Sequence, residues 1–178
     1  MATIQIKDKT FREYISEDAI ALRIIEMAEE LDLRYRDKKP VFLGVLKGVF
    51  VFLADLIRAC PFESQTSFIK ANSYHGMKSS GELNLSLSPD INLQDQHIIL
   101  VEDIVDSGNT LSQLIPLLHK HQPASLSVVT FLFKPDALQH PLQLDFVGFE
   151  IPNDFVVGYG LDYDQHGREL AGVYKLTH

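Results

Sequence analysis

The sequence predicts an α/β fold built on a mainly parallel sheet, and three observations carry that reading. Short apolar runs bounded by turn signals alternate with stretches of helical periodicity, the pattern of strand–helix–strand units. The runs lack polar alternation, as strands covered on both faces do. The length of 178 residues, with 46% hydrophobic and 22% charged side chains, suits one domain, 1–178, around one core.

The first clear element follows Ser16. Ile20, Ile24, Met27, Ala28 and Leu31 recur at helical spacing, Ser16 suits the N-cap, and Glu17 and Asp18 suit the positive end of the helix dipole. Polar residues 36–39 and then Pro40 end this helix. Val41-Phe42-Leu43-Gly44-Val45-Leu46 reads as a buried strand, and Val49, Phe52, Leu53, Leu56, Ile57 and Cys60 return to helical spacing. A second strand is expected over residues 66–71. Residues 72–81 are polar and aperiodic, with Gly76 and Gly81, and read as a mobile loop. In residues 82–88, Leu83, Leu85 and Leu87 alternate with polar neighbours, as in a half-buried strand. Residues 97–101 form a buried strand. Leu111, Leu114, Ile115 and Leu118 mark a helix from about Leu111 that Pro116 is expected to bend or shorten. Residues 126–133 and 144–150 supply two further strands. The Gly- and Tyr-rich residues 151–178 look irregular and are expected to pair with residues 1–16 as a small hood over a core of residues 17–150.

Charge and cysteine content exclude several classes. With 16 basic against 24 acidic side chains and a net charge of -8, sequence-independent nucleic-acid binding is disfavoured, since it needs many cations on phosphates. A phosphorylated small molecule is not, because helix amides and a metal ion hold anions without a basic surface. The single Cys60 cannot form an internal disulfide, which excludes a stapled secreted scaffold. The N-terminus has no apolar signal core, and the longest uninterrupted apolar stretch, residues 49–54, is too short to span a bilayer.

The chemistry concentrates between the strand ending at Val101 and the helix from about Leu111: Glu102-Asp103-Ile104-Val105-Asp106-Ser107-Gly108-Asn109-Thr110. In open parallel sheets ligands bind beyond the carboxyl ends of strands. Small residues let the backbone curl round a phosphate, Gly108 allows positive φ, Ser107 and Thr110 add hydroxyls, and the helix N-terminus adds amides. Glu102 and Asp103 would repel a phosphate and suit ribose hydroxyls or Mg²⁺. On spacing alone, the segment 106–108 also reads as a plain helix cap. Neither a P-loop nor a Gly-x-Gly-x-x-Gly dinucleotide motif occurs.

The segment from Val101 to Thr110 resembles the phosphoribosyl-pyrophosphate signature of the type I phosphoribosyltransferases, specifically the hypoxanthine-guanine phosphoribosyltransferases. Gly44-Val45-Leu46-Lys47-Gly48, Ser73-Tyr74 and Phe149-Glu150-Ile151-Pro152-Asn153-Asp154-Phe155-Val156-Val157-Gly158-Tyr159-Gly160-Leu161-Asp162-Tyr163 agree in the expected order, over nearly the whole chain. The resemblance implies the type I phosphoribosyltransferase fold and a cytoplasmic purine-salvage enzyme. It would join hypoxanthine or guanine to phosphoribosyl pyrophosphate, releasing IMP or GMP and pyrophosphate, with Mg²⁺ as cofactor. Nucleic acid and membrane are not expected partners, and a homodimer or homotetramer is.

By the same resemblance, Asp106, Ser107, Gly108, Asn109 and Thr110 hold the 5-phosphate, and Asp106 is the general base and then acid. Glu102 and Asp103 take ribose hydroxyls and a Mg²⁺ ion. Lys47 and Gly48 contact pyrophosphate through the backbone, with the Leu46–Lys47 peptide often cis in the family. Lys134 donates to the purine O6, Phe155 stacks on the base, and the Val156 and Asp162 carbonyls accept from its edge. The Asp162 side chain holds a second Mg²⁺, Arg168 clamps pyrophosphate, and Ser73 and Tyr74 lie on a loop that closes over the site. Without the resemblance, Lys47 and Arg168 also read as surface cations and Phe155 as a core residue. The chain departs from the commonest family pattern at His166-Gly167, before the arginine, and at Phe133, before the lysine. Two competing readings are a regulatory module of the same fold without turnover, and a transferase for another base such as adenine or orotate. Intact Asp106, Lys134 and the loop Ser73-Tyr74 oppose the first, and Lys134 with residues 155–162 opposes the second.

Overall fold

Ser16 sits in extended backbone and its hydroxyl accepts the Ala19 amide at 3.3 Å, so helix α1 (Glu17–Tyr35) starts directly after it. The computed structural model describes residues 2–73, 83–87 and 91–177. Before α1, strands β1 (Thr3–Ile6) and β2 (Lys9–Ile15) form an antiparallel hairpin. After it come β3 (Val41–Leu46), α2 (Phe50–Ala59), β4 (Gln65–Ser73), β5 (Leu83–Leu87), β6 (His97–Val105), α3 (Asn109–His119), β7 (Ser125–Phe133), β8 (Phe146–Glu150), β9 (Val156–Val157) and β10 (Val173–Leu176).

The main sheet has the order β5-β4-β3-β6-β7-β8. Strands β4, β3, β6, β7 and β8 run parallel, and β5 pairs antiparallel with β4. Successive residues of the inner strands enter different layers. Phe42, Ile99 and Val129 pack with α1 and α2, whereas Val41, Leu43, Ile98, Leu100 and Val128 pack with Leu111, Leu114 and Leu118 of α3. Buried Tyr35 ties the end of α1 to β7, its hydroxyl 2.7 Å from Ser127 Oγ. Cys60 is buried in the α1–α2 layer; burial, then the charge of Asp32, pushes its thiol up to about 12.

Two sequence expectations are corrected. Strand β6 does not stop at Val101 but continues through Glu102 and Asp103 to Val105, and α3 begins at Asn109. The apolar run ends at Val101, but the ladder does not: Glu102 stays in register with Thr130 and Val105 with Phe133. Pro116 lies inside α3, which ends three residues later at His119. It lacks an amide to donate back along the helix, and 3₁₀-type bonds close the helix just after it, from Lys120 N to Leu117 O (3.2 Å) and His121 N to Leu118 O (3.0 Å). Residues 151–177 are not merely irregular. They contribute β9 and β10 to a second sheet of order β1-β2-β10-β9, all pairs antiparallel. Ile15, Val156, Tyr159 and Val173 of this hood belong to the apolar cluster that α1 and α2 also share.

Candidate active site

Strand β3 lies between β4 and β6, so the chain crosses from one side of the sheet to the other next to it. Ligands bind parallel sheets at such a switch point, beyond the carboxyl ends of the strands. The connections that leave this edge are residues 47–49 after β3, 106–108 after β6, Lys134 after β7 and the segment from Ile151 after β8.

The 106–108 connection is a small cradle. Gly108 caps α3 with φ of 78°, a left-handed conformation that glycine adopts without steric cost. Its neighbours fix its shape: the Gln139 amide donates to Ser107 O at 3.0 Å, and His140 Nε2 lies 2.5 Å from Asn109 Oδ1. A pocket of about 90 Å³ opens here, lined by Glu102, Asp106, Ser107, Gly108 and Thr110 among others. The first turn of α3 carries no acidic residue, and its amides lack helical partners, so this end of the cradle suits an anion.

Glu102 and Asp103 are adjacent in β6 and engage different surroundings. Glu102 borders the cradle, is buried, and its Oε2 has no hydrogen-bond partner. Burial, reinforced by the Asp103 charge, raises its carboxyl well above the ordinary value. Asp103 is raised chiefly by burial and is pulled back in part by hydrogen bonding with Glu102, by the Ile104 amide that its Oδ1 accepts at 2.9 Å, and least by the Arg168 charge. Asp103 Oδ2 lies against the backbone of Gly48, where an added Cβ would stand 1.5 Å from it. On the other side, a Cβ on Gly160 would stand 2.1 Å from Gly48 O. The Lys47–Gly48 turn, with Leu46–Lys47 cis, is thus clasped between β6 and the C-terminal segment.

Lys134 is buried, and its Nζ lies 3.2 Å from Asp106 Oδ2, while its amide donates to Val105 O at 2.9 Å. The Ile151 amide donates to Phe133 O, which brings the following segment over the same edge. Phe155 is 45% exposed, not a core residue. Its ring meets Tyr163 edge-on (5.9 Å between centroids) and leans on Phe11 (6.3 Å). Val156 is buried in β9, paired with β10. Arg168 is not a surface cation: Nη2 reaches Asp162 Oδ1 at 2.6 Å and Nη1 donates to Gly160 O at 2.8 Å. The His166-Gly167 departure is absorbed locally, since Gly167 takes φ of 96° and Tyr163 and His166 exchange backbone hydrogen bonds at 2.9 and 3.1 Å.

The structure therefore gathers Gly48 and Asp103 in one contact, joins Asp106 to Lys134, and lines the cradle with Glu102 and the 106–110 segment. Asp162 stands apart: both its oxygens are engaged, Oδ2 by the Gln165 amide at 2.7 Å. No group of three or more metal-ligand residues occurs among the described residues. Ser73 ends β4 on the same edge; Tyr74, Gly76 and Gly81 lie outside the described residues. Sequence reasoning missed Lys9, 5.9 Å from the Phe155 ring centroid, His140 on Asn109, and the Tyr159–Asp55 hydrogen bond. Each is a long-range contact, and only the run Gly158-Tyr159-Gly160 signals that its turn is unusual.

A family model described as a phosphoribosyl transferase domain matches residues 12–164. The chain is 38% identical over 170 residues to the hypoxanthine phosphoribosyltransferase of Buchnera aphidicola subsp. Schizaphis graminum, covering 94% of this chain and 96% of that one. It is 43% identical over 164 residues to the hypoxanthine-guanine phosphoribosyltransferase of Lactococcus lactis subsp. lactis, covering 90% and 89%. Among solved structures, the hypoxanthine-guanine phosphoribosyltransferase of Bacillus anthracis, with a HEPES molecule in its active site, matches with a TM-score of 0.86 at 34% identity, over 94% of this chain and 97% of that one.

Proposed function

Because the chain belongs to the phosphoribosyl transferase family, we propose that the edge described above transfers the 5-phosphoribosyl unit of phosphoribosyl pyrophosphate to hypoxanthine. The chain is a purine-salvage transferase, forming IMP and pyrophosphate; guanine, giving GMP, is its second acceptor. The observation that carries this reading is the buried Lys134 on Asp106 beside a cradle that opens on the N-terminus of α3, whose first turn carries no acidic residue.

The 5-phosphate is held by residues 106–110. The C1′–pyrophosphate bond breaks as the C1′–N bond to the purine forms, and the imidazole proton passes to Asp106. An acid–base group so placed contributes typically about 10²–10⁴-fold. The sugar carbon becomes oxocarbenium-like, and the carboxylates of Glu102 and Asp103 favour that charge and take the ribose hydroxyls. Lys134 leaves Asp106 to donate to O6, which favours 6-oxopurines over adenine. Phe155 stacks on the base, and the carbonyls of Val156 and Asp162 accept from its edge. The amides of Lys47 and Gly48 and the Arg168 guanidinium hold pyrophosphate, and the loop of Ser73 and Tyr74 covers it.

Glu102 and Asp103 fit Mg²⁺: the unpartnered Oε2 of Glu102 is a hard oxygen donor lacking a partner. Such an ion takes one or two carboxylates and completes its shell with substrate oxygens and water, so no third protein ligand is required. When bound, it offsets the charge of the departing pyrophosphate. Asp162 suits a second ion only after Arg168 turns from it toward pyrophosphate.

The same reading makes residues 1–178 one working domain, a core of 17–150 under a hood of 1–16 and 151–178, acting in the cytoplasm as a homodimer or homotetramer. No helix among the described residues is long and apolar enough to cross a membrane.

The test supplies hypoxanthine, guanine, adenine or orotate with phosphoribosyl pyrophosphate and Mg²⁺ and identifies the nucleotide formed. IMP and GMP are expected; AMP or orotidylate alone, or no nucleotide, overturns the reading. Chelation of Mg²⁺ is expected to abolish turnover, and persistent activity removes the metal from it.

A further inference from the structure

The turn at residues 158–160 is unusual on its own terms. Gly158, Tyr159 and Gly160 all take positive φ (100°, 48° and 96°). Glycine does this freely, but a bulky side chain in the left-handed region is an outlier that persists only where the surroundings over-determine it. Here they do. The Tyr159 ring is buried against Phe131, 4.8 Å between centroids, and its hydroxyl donates to Asp55 Oδ2 of α2 at 2.7 Å. The Tyr159 amide donates to Leu170 O at 2.8 Å, and the Gly160 amide to Arg168 O at 3.0 Å.

Three parts of the pyrophosphate half of the site meet at this turn. The Gly160 backbone lies on the Gly48 carbonyl, so the Lys47–Gly48 turn has no freedom to move toward it. The Gly160 carbonyl receives Arg168 Nη1 at 2.8 Å and so aims the guanidinium. Asp55 lies on α2, the helix that the Lys47–Gly48 turn itself leads into. The Tyr159–Asp55 bond therefore closes a ring: turn 47–49, α2, Asp55, Tyr159, Gly160, and back to Gly48. Asp55 accepts with one oxygen while its other lies 3.6 Å from Arg58 at the surface, so the pair is reachable by substitution without opening the core.

From this geometry we infer that Asp55 and Tyr159 are positioning residues for pyrophosphate: their hydrogen bond sets the Gly160 carbonyl, and through it Arg168 and the Gly48 backbone, where the pyrophosphate group of the substrate is received. Neither side chain touches the reacting atoms. The inference rests on the transferase reading above, with Arg168 and Gly48 on pyrophosphate, and adds which bond holds them in place.

The experiment compares Tyr159→Phe, Asp55→Leu and Asp55→Asn with the unaltered enzyme in both directions, IMP synthesis and IMP pyrophosphorolysis. Tyr159→Phe and Asp55→Leu are expected to raise KM for phosphoribosyl pyrophosphate, and for pyrophosphate in reverse, by about tenfold, the loss of one hydrogen bond to a charged group. KM for hypoxanthine is expected to stay within about twofold. Asp55→Asn keeps an oxygen that accepts the same hydroxyl and is expected to restore most of the pyrophosphate-side KM. The double variant Tyr159→Phe/Asp55→Leu is expected to be no worse than either single one. Equal rises for both substrates, or a lower melting temperature with every KM unchanged, overturn the inference. Should Tyr159→Phe fail to fold, the two Asp55 variants carry the same comparison. An unaltered enzyme without phosphoribosyl transfer would instead sink the functional reading.

Discussion

At the carboxyl edge of the parallel sheet, the residues proposed to hold the 5-phosphate sit on a short connection whose shape is set by adjacent backbone, the 106–108 cradle capped by Gly108. In the antiparallel hood, Phe155 owes its place to residues far away in the chain. Phe11 supports its ring, Tyr163 packs on it and donates to Asp8 at 2.9 Å, and Lys7 pairs with Asp164. The first region takes its form from local backbone hydrogen bonds; the second is assembled from side-chain contacts, many of them exposed. On the proposed reading, bond making falls to the first region and stacking on the base to the second.

Four measurements break or sharpen that contrast. Asp106→Asn, on the sheet edge, should lower kcat by about 10²–10⁴-fold while KM for phosphoribosyl pyrophosphate barely moves; steady-state kinetics with an unchanged kcat would take Asp106 out of acid–base chemistry. Lys134 crosses the divide, standing on the edge but assigned to the base. Lys134→Ala should cost about 10–100-fold in kcat/KM for hypoxanthine, the scale of a charged hydrogen bond, and spare adenine. Competition between the two bases reads this directly, and equal losses would remove the lysine from O6. Phe155→Leu, in the hood, should raise KM for hypoxanthine about 3–10-fold with kcat nearly intact, because an aromatic contact is worth roughly 0.5–1.5 kcal/mol. A fall in kcat alone would place Phe155 in the chemistry. Ser16→Ala, which lies in neither part of the site, should cost about 1 kcal/mol in urea unfolding through the lost cap and leave every kinetic constant unchanged.

The same division explains what is legible in the sequence. The α1 stripe of Ile20, Ile24, Met27 and Leu31 and the Ser16 cap are local patterns, and the structure has them as read. The 106–110 segment is legible because a phosphate cradle on a helix N-terminus is built from consecutive residues. The end of β6 is not: Glu102 and Asp103 break the apolar run, and only the ladder with β7 keeps them extended. Nor are the strands of the hood: a pairing of residues 151–178 with residues 1–16 is expected from the sequence, but the order β1-β2-β10-β9 is not, because β2–β10 contacts join the two ends of the chain. The packing of Asp103 Oδ2 against the Gly48 backbone joins two motifs that are each visible in sequence, but the contact between them belongs to the packing of β3 beside β6. Arg168 is legible as a cation with a role; its hold on Asp162 and on the Gly160 carbonyl is not.

Every connection credited with chemistry leaves the carboxyl ends of the parallel strands, and this orientation frees the reverse side of the molecule. Residues 36–40, 60–64 and 120–124 precede β3, β4 and β7 and so lie at the other end of the sheet, which for the longer strands is roughly 20–30 Å away. A tether to a bead, a fluorescent tag or a fused carrier protein attached there would leave substrate entry unobstructed, whereas the same attachment near Ser107 or Lys47 would block it.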